Sequence, residues 1–106
     1  MSDTATIDIA AFEANAAEVE TMLRALANRR RLMLLCTLAE RGEANVGQLC
    51  EAAGLGQSAT SQHLARMREE GLVVTRREAQ TIWYRIGDPR VGRLLEVLHS
   101  LYCRAD

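Results

Sequence analysis

Apolar residues return along this chain in two rhythms, helical and then strand-like, and the switches between them divide it into parts. Phe12, Ala16, Val19, Leu23 and Leu26 recur every three or four residues, the spacing of one helix face. A second helix is predicted from Asn28, a good N-cap residue, with Leu32, Leu35, Cys36 and Ala39 on its buried side. Val46–Ala53 reads as a short amphipathic helix, followed by the glycine-bracketed turn Gly54-Leu55-Gly56. On the helix after that turn, Thr60, Leu64 and Met67 share one stripe, whereas Gln57, Ser58, Ser61, Gln62 and Ala65 share the opposite one. Gly71 then stops the helical spacing. Residues 72–78 and 81–86 are rich in β-branched and aromatic side chains and meet across Ala79-Gln80 as a hairpin. Helical spacing resumes after Asp88 as N-cap and Pro89 in the first turn, with Val91, Leu94, Leu95, Leu98, Leu101 and Tyr102 on one face.

These elements predict a mainly α fold with a small β-hairpin wing, a winged helix-turn-helix. The helix-turn-helix spans about 46–70, the wing about 72–86 and the last helix about 88–104, all within one domain of residues 1–106. The polar stripe after the turn suits a DNA major groove. Glutamine presents donor and acceptor together to adenine, serine serves either role, and Ala65 permits close approach. An ordinary solvated helix face is richer in Glu, Lys and Arg. Gln57, Ser58, Ser61, Gln62, His63 and Arg66 are therefore the candidate DNA-reading residues of the helix. Arg76, Arg77 and Gln80 are the candidates on the wing, with Arg85 a further phosphate contact. Trp83 and Tyr84 are expected to hold the hairpin to the domain rather than stack on bases.

A formal net charge of −1 disfavours a nucleic-acid protein until it is split along the chain. Residues 1–28 carry five acids and one arginine, whereas residues 57–93 carry seven arginines and four acids. The proposed reading half is the basic half, which predicts salt-sensitive binding to double-stranded operator DNA. Apolar stretches are interrupted by charge, so no membrane span or signal peptide is expected and the chain reads as cytoplasmic. The two apolar-striped terminal helices exceed what the centre can cover, which predicts a two-fold helical interface and a homodimer. Arg29, Arg30 and Arg31 open a helix against its dipole, so at least one is expected to pair with an acid elsewhere.

Three runs carry a family resemblance: Leu-Ala-Asn-Arg-Arg-Arg-Leu at 26–32, Gly-Gln-Ser-x-x-Ser-Gln-His-Leu at 56–64, and Arg-Glu-x-Gly-Leu-Val at 68–73. From about residue 23 to 103 the chain resembles the ArsR/SmtB family of dimeric winged-helix repressors. The resemblance implies one recognition helix per subunit in the major groove and an inducer that weakens operator binding. Family members differ in what they sense. The thiol cluster of the arsenic-responsive branch is absent, since Asn45 and Gly47 stand near Cys50. The zinc pattern of the last helix is also broken, with Arg90 after Asp88, and Leu101 and Arg104 where later ligands belong. His63 and His99 read as packing or hydrogen-bonding histidines, so no metal site and no cofactor are expected.

What remains is Cys36 in Leu-Leu-Cys-Thr-Leu and Cys103 in His-Ser-Leu-Tyr-Cys, contexts similar to the persulfide-sensing, or sulfane-sulfur-sensing, branch of the family. That resemblance implies sensor thiols joined within one subunit by a disulfide or longer polysulfide link, with persulfide or sulfane sulfur as inducer. The residues alone leave alternatives open: two buried core cysteines, a metal-responsive repressor, or a peroxide- or disulfide-sensing repressor using the same pair. A thiol enzyme is disfavoured, because Cys36 falls mid-helix and Cys103 near a helix C-terminus, neither of which activates a thiolate. A winged-helix protein-interaction module also stays open. Cys50 has no partner in the pattern and reads as core.

Overall fold

A computed structural model describes residues 7–103, which form six helices and one two-stranded antiparallel hairpin. The helices are α1 (Ile9–Ala14), α2 (Ala16–Leu26), α3 (Arg29–Arg41), α4 (Val46–Ala53), α5 (Gln57–Glu69) and α6 (Pro89–Tyr102). The strands are β1 (Val73–Glu78) and β2 (Thr81–Ile86).

The first apolar stripe belongs to two helices rather than one. Asn15 ends α1: its backbone N–H reaches the Phe12 carbonyl at 3.0 Å and its side-chain amide donates to the Ala11 carbonyl at 3.0 Å. Such back-bonding to the preceding turn is what makes Asn a poor interior residue and a good terminator. Phe12 and Leu23 lie exposed on either side of this break. The Asn28 side chain caps α3 by accepting from the backbone N–H groups of Arg30 and Arg31. Asn45 and Gln48 exchange hydrogen bonds as a capping box on α4, and the Asp88 side chain accepts from the Arg90 N–H at the start of α6. Gly54 closes α4 in the left-handed conformation at φ 66°, a region glycine enters without steric cost.

The core lies between α3, α4, α5 and the root of the wing, closed by the end of α2 and the first half of α6. Leu34, Leu35, Leu38, Leu49, Leu64, Met67, Val73 and Val91 are all fully buried in it. The buried side of α3 differs from the expected one. Leu34, Leu35, Thr37 and Leu38 face the core, Leu32 is half-buried, and Cys36 and Ala39 are exposed. Residues 32–39 are apolar or small nearly all round the helix, so periodicity alone selects no face there and packing against α4 and β2 makes the choice.

The wing pairs Val73 with Ile86 through Glu78 with Thr81, leaving Ala79 and Gln80 as a two-residue turn in which Ala79 takes φ 56°. Ala44 adds a short bridge to Tyr84, with N–H···O contacts of 3.1 and 2.8 Å, which ties the α3–α4 loop to the wing. Gly87 joins the wing to α6. Its N–H donates to the Leu72 carbonyl at 2.8 Å, and a Cβ there would lie 2.8 Å from Val74 Cγ1 and 3.3 Å from the Gly71 carbonyl oxygen.

Candidate DNA-reading face and thiol groove

Helix α5 separates its two stripes as its sequence demands. Thr60, Leu64 and Met67 are buried, which fixes the rotation of the helix about its own axis. Gln57, Ser58, Ser61 and Gln62 are consequently exposed and, with Ala65, line one shallow open concavity. Arg66 is exposed one turn beyond Gln62, whereas His63 is half-buried and sits beside this stripe. Because α4 and α5 pack on each other across the Gly54-Leu55-Gly56 turn, the polar stripe projects from the rigid part of the molecule.

The arginines that open α3 have separate roles. Arg31 pairs with Glu70 at 3.7 Å, joining α3 to the end of α5, and its guanidinium is largely buried. Arg30 donates from Nη1 to the Ala53 carbonyl at 2.9 Å, capping the last turn of α4. The residues flanking α5 are therefore pinned by two members of the triplet.

On the wing, Arg76 and Arg77 are placed differently. Arg76 holds Glu43 through two hydrogen bonds, Nε at 2.6 Å and Nη2 at 2.9 Å, and reaches Glu78 at 3.2 Å. Its guanidinium also lies 5.7 Å from the centre of the Trp83 ring on the neighbouring strand. Hydrogen bonding to Arg76 holds the Glu43 carboxyl below the usual carboxylate range, and the same bonds raise the Arg76 guanidinium. Arg76, one of the candidate phosphate contacts, thus also joins the wing to the α3–α4 loop. Arg77, Gln80 and Arg85 are exposed, and Arg77 and Arg85 make no ion pair with another described residue. Strand alternation puts Arg76 and Arg77 on opposite faces, but which of them meets an acid is not local, since the partner Glu43 lies 33 residues away.

A second region forms between α3 and α6. Cys36 and Cys103, 67 residues apart in sequence, line a single groove of about 420 Å³ with Leu32, Met33, Leu95, Leu98, His99 and Tyr102. Both cysteines are free and exposed, and Cys50 is half-buried away from this groove. Burial against the apolar wall, and then the neighbouring Cys103, pushes the Cys36 thiol up. The lining residues of α6 follow from helical spacing, but the contribution of Leu32 and Met33 depends on the rotation of α3 described above. Leu101 and Tyr102, expected on the apolar stripe of α6, are exposed at 67 % and 81 %. Among the described residues, no three His, Cys, Asp or Glu side chains come together as a metal-ion cluster, and no helix is long and apolar enough to cross a membrane.

Residues 28–75, which run from the cap of α3 into β1, match the family of bacterial regulatory proteins described as the arsR family. The chain is 45 % identical over 102 residues to the transcriptional activator HlyU of Vibrio cholerae, covering 96 % of this chain and 94 % of that protein. This chain belongs to the arsR family. Within it, the chain falls in the HlyU/BigR-like branch: the crystal structure of the transcriptional repressor BigR from Xylella fastidiosa superposes with a TM-score of 0.86 at 38 % identity, over 93 % of this chain and 100 % of that one. The homodimeric winged helix-turn-helix DNA-binding domain Mb0332 of Mycobacterium bovis matches with a TM-score of 0.73 at 33 % identity, over 93 % of this chain and 89 % of that one. As an arsR-family member the chain is a DNA-binding transcriptional regulator with a winged helix-turn-helix fold. An activator and a repressor stand among its relatives, so the scaffold itself does not set the direction of regulation.

Proposed function

We propose that this arsR-family regulator acts as a homodimer whose affinity for operator DNA is set by the thiol pair Cys36 and Cys103, which reacts with persulfides or other sulfane sulfur. The observation that carries the reading is the convergence of these two distant thiols in one groove between α3 and α6, with both exposed to a reagent. Exposure favours a reactive pair over core filler, and a thiolate attacking sulfane sulfur gives a persulfide that the second thiol can capture. The exposed Phe12, Leu23, Val97, Leu101 and Tyr102 supply the apolar surface that a two-fold interface would bury. Gln57, Ser58, Ser61 and Gln62 read base edges in the major groove, with Arg66, Arg77, Gln80 and Arg85 on the backbone. His63, half-buried on the flank of α5, and Arg76, held by Glu43, border these contacts.

A link between α3 and α6 would shift the two recognition helices of a dimer, whose separation must match about 34 Å of DNA. A coupling of about 1–3 kcal/mol changes operator affinity roughly 5–150-fold. The test is a titration of fluorescent operator with the parent, Cys36→Ser, Cys103→Ser and Cys50→Ser proteins, each with and without persulfide. Reduced proteins should all bind alike, and persulfide should release DNA only from the parent and Cys50→Ser. Release that survives in both the Cys36 and Cys103 variants removes the two-thiol switch, and release by zinc or arsenite alone selects a metal sensor.

A further inference from the structure

The wall of the thiol groove holds no Asp, Glu or Arg among the described residues, and unlike the polar concavity on α5 it is mainly apolar. Leu32, Met33, Leu95, Leu98 and the rings of His99 and Tyr102 surround the two thiols in about 420 Å³, within the range of roughly 300–1,000 Å³ common for small-molecule sites. An adjoining recess of about 270 Å³ shares Cys36, Leu95 and His99, and its remaining lining includes Glu40 and Glu96. The formal charge beside the thiols is therefore negative. No arginine lines either recess among the described residues, and the chain contains no lysine.

An anionic reagent would have to shed water against an apolar wall and approach two carboxylates with no arginine among the described lining residues to compensate. An uncharged reagent meets neither cost. We propose that the groove selects uncharged organic sulfane sulfur, with small dialkyl trisulfides as the ligand class, over anionic carriers of the same sulfur chain. The proposal rests on the two-thiol reading and adds its substrate class.

The chemistry balances without a further oxidant. The Cys36 thiol gives its proton to water, and its thiolate attacks the central sulfur of R–S–S–S–R. One S–S bond forms, one breaks, and R–S⁻ leaves and is protonated. The Cys103 thiolate then attacks that same sulfur, now held as Cys36–S–S–S–R, and expels the second R–S⁻. The product is a Cys36–S–S–S–Cys103 bridge: the trisulfide has been reduced to two thiols and the two protein thiols have been oxidised. The same apolar wall raises the Cys36 thiol, so the attack draws on a small thiolate fraction with either reagent.

The test follows bridge formation in the full reduced chain by timed intact mass, as a gain of one sulfur and a loss of two hydrogens. Dimethyl trisulfide and glutathione trisulfide carry the same reacting bond, but glutathione adds carboxylates. Each rate is divided by that of the same reagent with N-acetylcysteine. The normalised rate should be at least tenfold higher for dimethyl trisulfide. The double variant Glu40→Gln/Glu96→Gln should raise the glutathione trisulfide rate several-fold and leave the dimethyl trisulfide rate unchanged. Equal normalised rates overturn the selectivity while leaving the two-thiol reading in place. A preference that the double variant does not reduce assigns it to bulk and overturns the charge argument. No bridge from either reagent, in a chain whose thiols alkylate normally, overturns both.

Discussion

The polar face of α5 and the thiol groove between α3 and α6 are built by opposite means. On α5 a small buried stripe fixes the helix and leaves short amide and hydroxyl side chains in water, so the candidate reading residues are displayed by what lies beneath them. In the groove the two thiols stand among apolar side chains from two helices, and burial against that wall raises the Cys36 thiol. A face of the first kind is legible from one helix of sequence. A groove of the second kind requires the relative rotation of two helices, which no single periodicity contains.

The largest effect expected of the comparison comes from the core beneath α5. Leu64→Ala should lower stability by about 2–5 kcal/mol, because a fully buried leucine leaves a cavity among close-packed neighbours. Urea denaturation checks this, and a loss below about 1 kcal/mol would mean that Leu64 does not anchor the helix. Gln62→Ala removes an exposed side chain instead. It should weaken specific operator binding by about 1–3 kcal/mol with unchanged stability and unchanged thiol reactivity. An equal loss on random DNA would contradict a base-reading role and blur the separation between the two regions.

A smaller contrast lies within the wing. Arg77→Ala should lower affinity on all DNA and reduce the salt slope of binding by about one unit, as loss of one phosphate contact requires. Arg76→Ala should leave that slope nearly unchanged, because its guanidinium is occupied by Glu43 and Glu78. Identical salt slopes for the two variants would show that the Glu43–Arg76 clamp opens on DNA. The clamp also sets a pH dependence. Glu43 has a lowered folded-state value, so its contribution is present above the ordinary carboxylate range and is lost as the pH falls through the folded value. The smallest effect belongs to the groove: iodoacetamide alkylation of Cys36, mapped by peptide mass, should rise with a midpoint above the ordinary thiol value of about 8.5. A midpoint at or below that value would show that the apolar wall does not govern the thiol.

Much of the fold was legible because its signals are local. The turn Gly54-Leu55-Gly56, the caps Asn28 and Asp88 and the two-residue hairpin at Ala79-Gln80 all act over a few residues. The rotation of α3 was not legible, since residues 32–39 offer apolar side chains in almost every direction and only packing decides among them. The Ala44–Tyr84 bridge and the Glu43–Arg76 clamp were hidden for another reason. They join residues 40 and 33 positions apart, and their local contexts are ordinary loop and strand. The reading stripe of α5 was legible as a pattern. The partition of Arg76 from Arg77, and the walls that Leu32 and Met33 give the thiols, needed the third dimension.

Gly87 gives this arrangement a mechanical character. Helix α6 begins two residues after it and runs for 14 residues, about 21 Å at 1.5 Å per residue, to reach Cys103. The glycine N–H is bonded to Leu72, a Cβ there would meet the Val74 methyl and the Gly71 carbonyl, and Val91 and Leu95 are buried in the core, so this end of the helix is anchored, whereas Leu101 and Tyr102 at the thiol end are exposed and make it the outer arm. A pull of about 2 Å at the arm would turn the helix by only about 5°, with the root of the wing barely translating. A covalent tether at the far end would therefore deliver torque rather than sliding. Gly87→Ala, which jams the anchored end without touching a thiol or a base contact, is the substitution that would stall such a lever.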